Sequence, residues 1–327
     1  MALGLAASAH AQSSVFSNQF SGSAASGWSA QGSASVAGDN SYAQLTDTGS
    51  NEAGSLFYTG SAFNSGNWTL TAEIHVGDGG YWQNGVKWTD PSWHGDGLTF
   101  TWLDATPFTT TTNAASTTEL LGGSGGLLGL PTGTDVKGYT FEFDTHDNSE
   151  YGDPTPNPNS LSGMAYQYTD LKELNGTDAT HVAGSLGTPG GTSVFSDAQM
   201  GPSFINDNGG WLPVSLTCTT SVNAQGVTDA DFILAWGGTV TGDAGANDFN
   251  DLTNSYEFKV SDYNVYQDAY FGFTAGTGAF TDNHLVRDVT LDQIGGGSTP
   301  ELQTWALLLP ALPLSLRVCR RRRRKTA

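Results

Sequence analysis

Apolar and polar positions alternate with a period of two through most of this chain. Trp68, Leu70, Ala72, Ile74 and Val76 alternate with Thr69, Thr71, Glu73 and His75, and Leu98, Phe100 and Trp102 repeat the pattern. Tyr139, Phe141 and Phe143 are interleaved with Thr140, Glu142 and Asp144. The same spacing runs through Leu212 to Cys218, Phe232 to Trp236, Tyr256 to Val260 and Leu285, Arg287, Val289 and Leu291. Successive side chains of a strand point to opposite faces, so each segment predicts a strand with one core face. Many such segments separated by Gly, Asn and Asp turns predict an all-β chain of two packed antiparallel sheets. The helix signal is weak throughout; Tyr168 to Leu174 fits a helical turn or two. No fixed-period repeat and no composition break divides the chain into two domains.

Charge changes the picture at one end only. Of 12 Lys and Arg, seven (Arg317, Arg320 to Arg324 and Lys325) fall in the last eleven positions, while only Glu301 of the 32 acids lies beyond residue 300. Residues 1 to 300 therefore carry 31 acids against five bases, a net of −26. Such a body lacks the basic patch that phosphate contacts require, which excludes nucleic acid as its partner. The two cysteines, Cys218 on a predicted strand and Cys319 in the basic tail, make no disulfide framework; Cys218 is expected to be buried as a small apolar residue.

One strand leads into a segment with chemistry. Period two puts Glu142 and Asp144 on one face, and an Asn/Asp/Gly-rich run follows, with Asn148 four residues and Asp153 nine residues after Asp144 and Gly152 free to turn sharply. Carboxylates, an amide and carbonyls are the hard oxygen donors calcium takes. The competing reading is a solvated acidic turn.

Four separated pieces in one order resemble the L-type lectins, the family of legume lectins and animal cargo lectins. They are His94-Gly95-Asp96-Gly97-Leu98-Thr99-Phe100, the glycine loop Gly125 to Leu130, the run Glu142 to Pro154, and Phe271-Gly272-Phe273-Thr274-Ala275 with His284. The resemblance implies a concanavalin A-like jelly roll over residues 12–294, with a site on the loops above its concave sheet. It assigns calcium to Asp144, Asn148, Asp153 and the main-chain carbonyl of His146. Asp96, the Gly126 amide and Asn148 become the carbohydrate-binding trio, with the His146 ring stacking on the sugar or standing as an ordinary surface histidine. Calcium would act indirectly, ordering Asn148 and the Asp96 loop. The legume branch has a second metal; its histidine position here is Pro158, but His181-Val182-Ala183-Gly184 resembles that branch's histidine strand, so Glu142, Asp144, Asp153 and His181 form a candidate Mn2+ or other transition-metal set.

An enzyme is the alternative on the same fold. Laminarinase-type glycosidases carry Glu-x-Asp-x-x-Glu on a strand, and Glu142 to Asp147 differs by ending in Asp, which shortens the reach that two cooperating carboxyls need. A calcium-stabilised structural matrix or adhesion protein is the third reading. The resemblance favours a lectin, not an enzyme, with glycans or exopolysaccharide as partners; oligomeric state and sugar specificity have no signature.

Both ends read as targeting segments. Residues 1–11 resemble the end of a signal peptide, with Ala9-His10-Ala11 as a small-x-small cleavage site and the natural start expected upstream. Residues 295–327 resemble a PEP-CTERM sorting tail: Pro300-Glu301, the apolar run Ala306 to Leu316, then arginines. Leu302 replaces the second proline, and the run is about half the roughly 20 residues a spanning helix needs. The resemblance implies exosortase-type sorting and an exported, extracellular or cell-surface protein of a Gram-negative-type bacterium.

Overall fold

The computed structural model describes residues 12–22, 25–83, 86–88, 94–109, 120–131, 135–146, 168–175, 178–184, 210–237, 249, 252 and 254–294. Its strands are β1 (Gln12–Gln19), β2 (Trp28–Gly32), β3 (Ser35–Val36), β4 (Ala43–Thr46), β5 (Ala53–Phe63), β6 (Trp68–Gln83), β7 (Val86–Trp88) and β8 (Gly97–Asp104). They continue as β9 (Lys137–Asp144), β10 (Tyr168–Asn175), β11 (Asp178–Gly184), β12 (Leu212–Val222), β13 (Thr228–Trp236), β14 (Asn254–Val260), β15 (Ala269–Gly276) and β16 (Phe280–Ile294). A four-residue helical turn, Thr106–Thr109, and a 3-10 turn, Gly125–Leu127, are the helical elements among the described residues.

Two antiparallel sheets form the sandwich. The back sheet runs β14-β13-β12-β6-β16-β4-β3, with β1 on β16 and β7 on β6; the front sheet runs β11-β10-β9-β8-β15-β5-β2. The alternating residues meet between them: Trp68, Leu70, Ala72, Ile74 and Val76 are fully buried against Leu98, Phe100, Trp102, Phe141 and Phe273. Trp68 and Trp102 pack edge to face at 5.0 Å, and Phe232 stacks on Phe258 at 5.2 Å. Each large ring removed from water in this way stabilises the fold by about 1.5–3 kcal/mol.

The front sheet is covered on its other face too. Phe57, Leu103, Leu120, Leu128, Leu130, Val136 and Leu174 form a second apolar cluster there. Between this cluster and the start of β8 lies a buried hydroxyl layer, in which Thr99 bonds Thr101 (2.7 Å) and Thr274 (2.8 Å), and Thr101 bonds Thr140 (2.9 Å). Both faces of the central front strands β8, β9 and β15 are therefore buried.

That double burial corrects one expectation. Tyr168 to Leu174 is strand β10, paired along its whole length with β9. Leu171 enters the main core and Leu174 the second cluster on the opposite face. A second correction concerns β16. Arg287↔Glu73 and Thr290↔Thr71 leave two residues opposite one on β6, and Asp288 is left-handed (φ 50°). This bulge shifts the alternation, so Val286, Val289 and Leu291 are core while Arg287 pairs with buried Glu73 at 2.7 Å. Cys218 is a free, fully buried thiol, as expected, and burial pushes its pKa well up.

Candidate functional site

The site is built where β8 begins, β9 ends and the β15–β16 hairpin turns. Gly97 starts β8 with φ 118°, registered between Asp144 on β9 and Gly276 on β15. A Cβ at Gly97 would collide with the Phe143 carbonyl, so the close approach of β8 to β9 requires glycine. Immediately before it, Asp96 is 3 % exposed. Its N–H donates to the Gly276 carbonyl and its carbonyl accepts from the Thr145 N–H, both at 3.3 Å. The carboxylate is directed at the hairpin: a Cβ at Gly278 would stand 3.5 Å from Asp96 Oδ2.

Residues before Asp96 are held from two sides. The Gly95 carbonyl accepts from Thr145 Oγ1 at 2.6 Å, and the Gly95 N–H donates to Asp282 Oδ2 at 2.8 Å. Asp282, fully buried, also engages His94 Nδ1 at 3.3 Å. Behind this clamp His284 is buried, its Nδ1 2.6 Å from Thr46 Oγ1. Burial, reinforced by His75 and His94 nearby, lowers the His284 pKa to about 3, so its ring is neutral at ordinary pH.

The glycine turn joins the same place. Gly125 donates its N–H to the Thr277 carbonyl (3.1 Å), while the turn's own bonds use the N–H groups of Leu128, Gly129 and Leu130. The Gly126 amide is not among these donors. Thr277 is fixed in turn, donating its N–H to the Glu52 carbonyl and its hydroxyl to the Gly49 carbonyl, both at 2.9 Å. At the end of β9, the His146 N–H donates to Asp144 Oδ1 (2.9 Å), and the His146 ring packs on Phe280 at 4.8 Å. Asp96, the glycine turn and the His146 ring thus meet at the hairpin 276–280, and Asp144 lies one strand from it, across Gly97.

Asn148 and Asp153 lie outside the described residues. Among the described residues no group of three or more His, Cys, Asp and Glu side chains is placed to hold a metal ion. The described half of the expected calcium set fits such an ion in kind: Asp144 is a carboxylate 2 % exposed, and its Oδ1 caps the turn that leads to His146. Of the second set, Asp153 lies outside the described residues. Glu142 Oε2 lies 2.8 Å from the ammonium of Lys172, both groups buried. His181 is on β11, its backbone registered with Lys172 and separated from β9 by the whole of β10. Sequence reasoning passed over Lys172, Asp282 and Phe280. Asp282 sits two residues before the His284 of the closing element, which was its available signal; Lys172 had none, because β10 was read as helical.

No family model matches the chain, and no curated protein matches it in sequence. Solved structures do match in shape. The VIP36 exoplasmic/lumenal domain in its Ca2+/Man2-bound form is 17 % identical over 88 % of this chain and 90 % of that one, with a TM-score of 0.50. Its metal-free form is 16 % identical over 84 % and 90 %, also with a TM-score of 0.50.

This chain has the L-type lectin fold.

A peanut lectin structure with a bound peptide matches less well, at 15 % identity and a TM-score of 0.46, over 86 % of this chain and 97 % of that one. Within the lectin fold, the Asp96 segment, the glycine turn and the end of β9 occupy one rim of the front sheet, and the hairpin 276–280 closes that rim.

Proposed function

We propose that this protein is an exported, calcium-dependent carbohydrate-binding protein without catalytic activity. The observation that carries the proposal is Asp96: a nearly buried carboxylate whose backbone is fixed by both neighbouring strands and whose side chain faces a turn shared with Gly126 and His146. A carboxylate held in this way accepts hydrogen bonds from two adjacent sugar hydroxyls, and the Gly126 amide donates to the same oxygens. Calcium on Asp144, the His146 carbonyl, Asn148 and Asp153 would hold Asn148 as the third polar contact. VIP36, with which the chain shares its fold, has Ca2+/Man-bound and Ca2+/Man2-bound forms, which supports a glycan as ligand.

Glu142 argues against the glycosidase reading. Its side chain is fully buried and ion-paired with Lys172, so it lacks the access that a nucleophile or proton donor to a glycosidic oxygen requires. Export and surface attachment rest on residues 1–11 and 295–327, which lie outside the described residues; among those described, no helix is long and apolar enough to cross a membrane. The proposal is tested by probing a glycan array with and without chelator while assaying reducing-sugar release. Chelator-sensitive binding without hydrolysis is expected. Glu142-dependent hydrolysis would favour the enzyme, and calcium uptake with no glycan bound would favour the structural matrix protein.

A further inference from the structure

The legume branch's second metal is expected at Glu142, and that place is taken. Lys172 lies on β10 opposite Thr140, one row from Glu142 on the same face, and a diagonal neighbour at this spacing is within reach of a long side chain. Its Nζ reaches Glu142 Oε2 at 2.8 Å, with the lysine side chain 6 % exposed and the glutamate fully buried. Thr99 is registered opposite Glu142 and Thr140 opposite Lys172, and Leu174 of the second apolar cluster follows on the same strand. The backbone of His181, the imidazole expected to serve a second metal, is registered beside Lys172, whereas Glu142 is registered with Asp170.

We propose that the Lys172 ammonium serves as a built-in cation in place of a second metal, so that this lectin fold carries a single divalent-ion site. Charge balance supports it. Glu142 and Lys172 neutralise each other, so a second dication placed on Glu142 would add two uncompensated charges in a buried setting, which is strongly unfavourable. The calcium half of this statement rests on the proposed function, whereas the lysine half does not. The Glu142 charge stays paired when calcium leaves, so metal removal is expected to spare the sandwich.

The test uses the full chain, stripped with chelator and then equilibrated with Ca2+ and Mn2+, with bound metal measured by mass spectrometry. Wild type is expected to take no Mn2+ beyond the amount that Ca2+ displaces. Lys172→Met should lower Tm by on the order of 10 °C, because it leaves a buried carboxylate unpaired. Lys172→Met combined with Glu142→Gln should recover most of that loss, which a purely packing role for the lysine stem would not allow. A stoichiometric Mn2+ retained beside Ca2+ and abolished by Glu142→Gln would overturn the proposal, as would a double variant that loses as much as the two single variants together. If Lys172→Met does not fold, the wild-type and Glu142→Gln metal contents still decide. Absence of Ca2+ uptake would sink the calcium reading alone and leave the Lys172 result standing.

Discussion

Replacing Asp282 by alanine separates the support of the site from the site itself. The side chain is fully buried and accepts from the Gly95 N–H at 2.8 Å and engages His94 Nδ1 at 3.3 Å. Alanine removes a charged acceptor from two buried donors, and each hydrogen bond to a charged group is worth about 1.5–3 kcal/mol. The 3.3 Å contact is long, so the total is about 3–4 kcal/mol, a drop in Tm of roughly 6 °C for a domain of this size. Because Gly95 is the residue before Asp96, its release also unfixes the proposed sugar ligand from one side. Glycan affinity, measured well below the new Tm, should fall at least about tenfold, since displacements near 1 Å are costly in preorganised sites. Asp282→Asn keeps one acceptor and should recover part of both losses. A variant whose Tm stays within about 1 °C of wild type, or whose glycan affinity is unchanged after folding is verified, would refute this role for Asp282.

The buried His284 sets an acid limb. Its pKa is about 3 folded and near 6.5 unfolded, so between those values the unfolded chain binds more protons, and stability that is complete above about pH 6.5 is lost as pH falls toward 3. The total is on the order of 4–5 kcal/mol, and His284→Asn should flatten this limb in chemical-denaturation curves recorded at fixed calcium. Gly97→Ala forces a methyl group into the Phe143 carbonyl at φ 118°; a destabilisation of about 3 kcal/mol or more, with loss of glycan binding, is expected from denaturant midpoints. Phe280→Ala removes the ring packed on His146 at 4.8 Å; the fold should persist by circular dichroism while glycan affinity drops, and an unchanged affinity would exclude this pair from the binding surface.

The strands were legible because most carry one apolar face against a single core. Trp68 to Val76, Leu98 to Trp102 and Tyr139 to Phe143 needed only period two to be placed. Legibility failed where that condition failed. Leu171 and Leu174 are both buried but on opposite faces, so β10 shows no alternation. On β16, the left-handed Asp288 shifts the register and turns Arg287 out toward Glu73. At the site, Asp96, Gly126, Asp144 and His146 could be named because short segments around each resemble a known pattern. Asp282 and Lys172 act through partners 187 and 30 positions away, Gly95 and Glu142, and nothing local marks such pairings. Asn148 and Asp153 lie outside the described residues.

The central claim is that Asp96 and a calcium-ordered loop bind a glycan together. It is tested most directly by titrating one array-positive glycan into the full chain with calcium, with excess chelator, and after Asp96→Ala or Asn148→Ala. The account predicts saturable binding with calcium that is lost in each of the other three conditions while the sandwich remains folded. Binding of equal affinity in all four would contradict it.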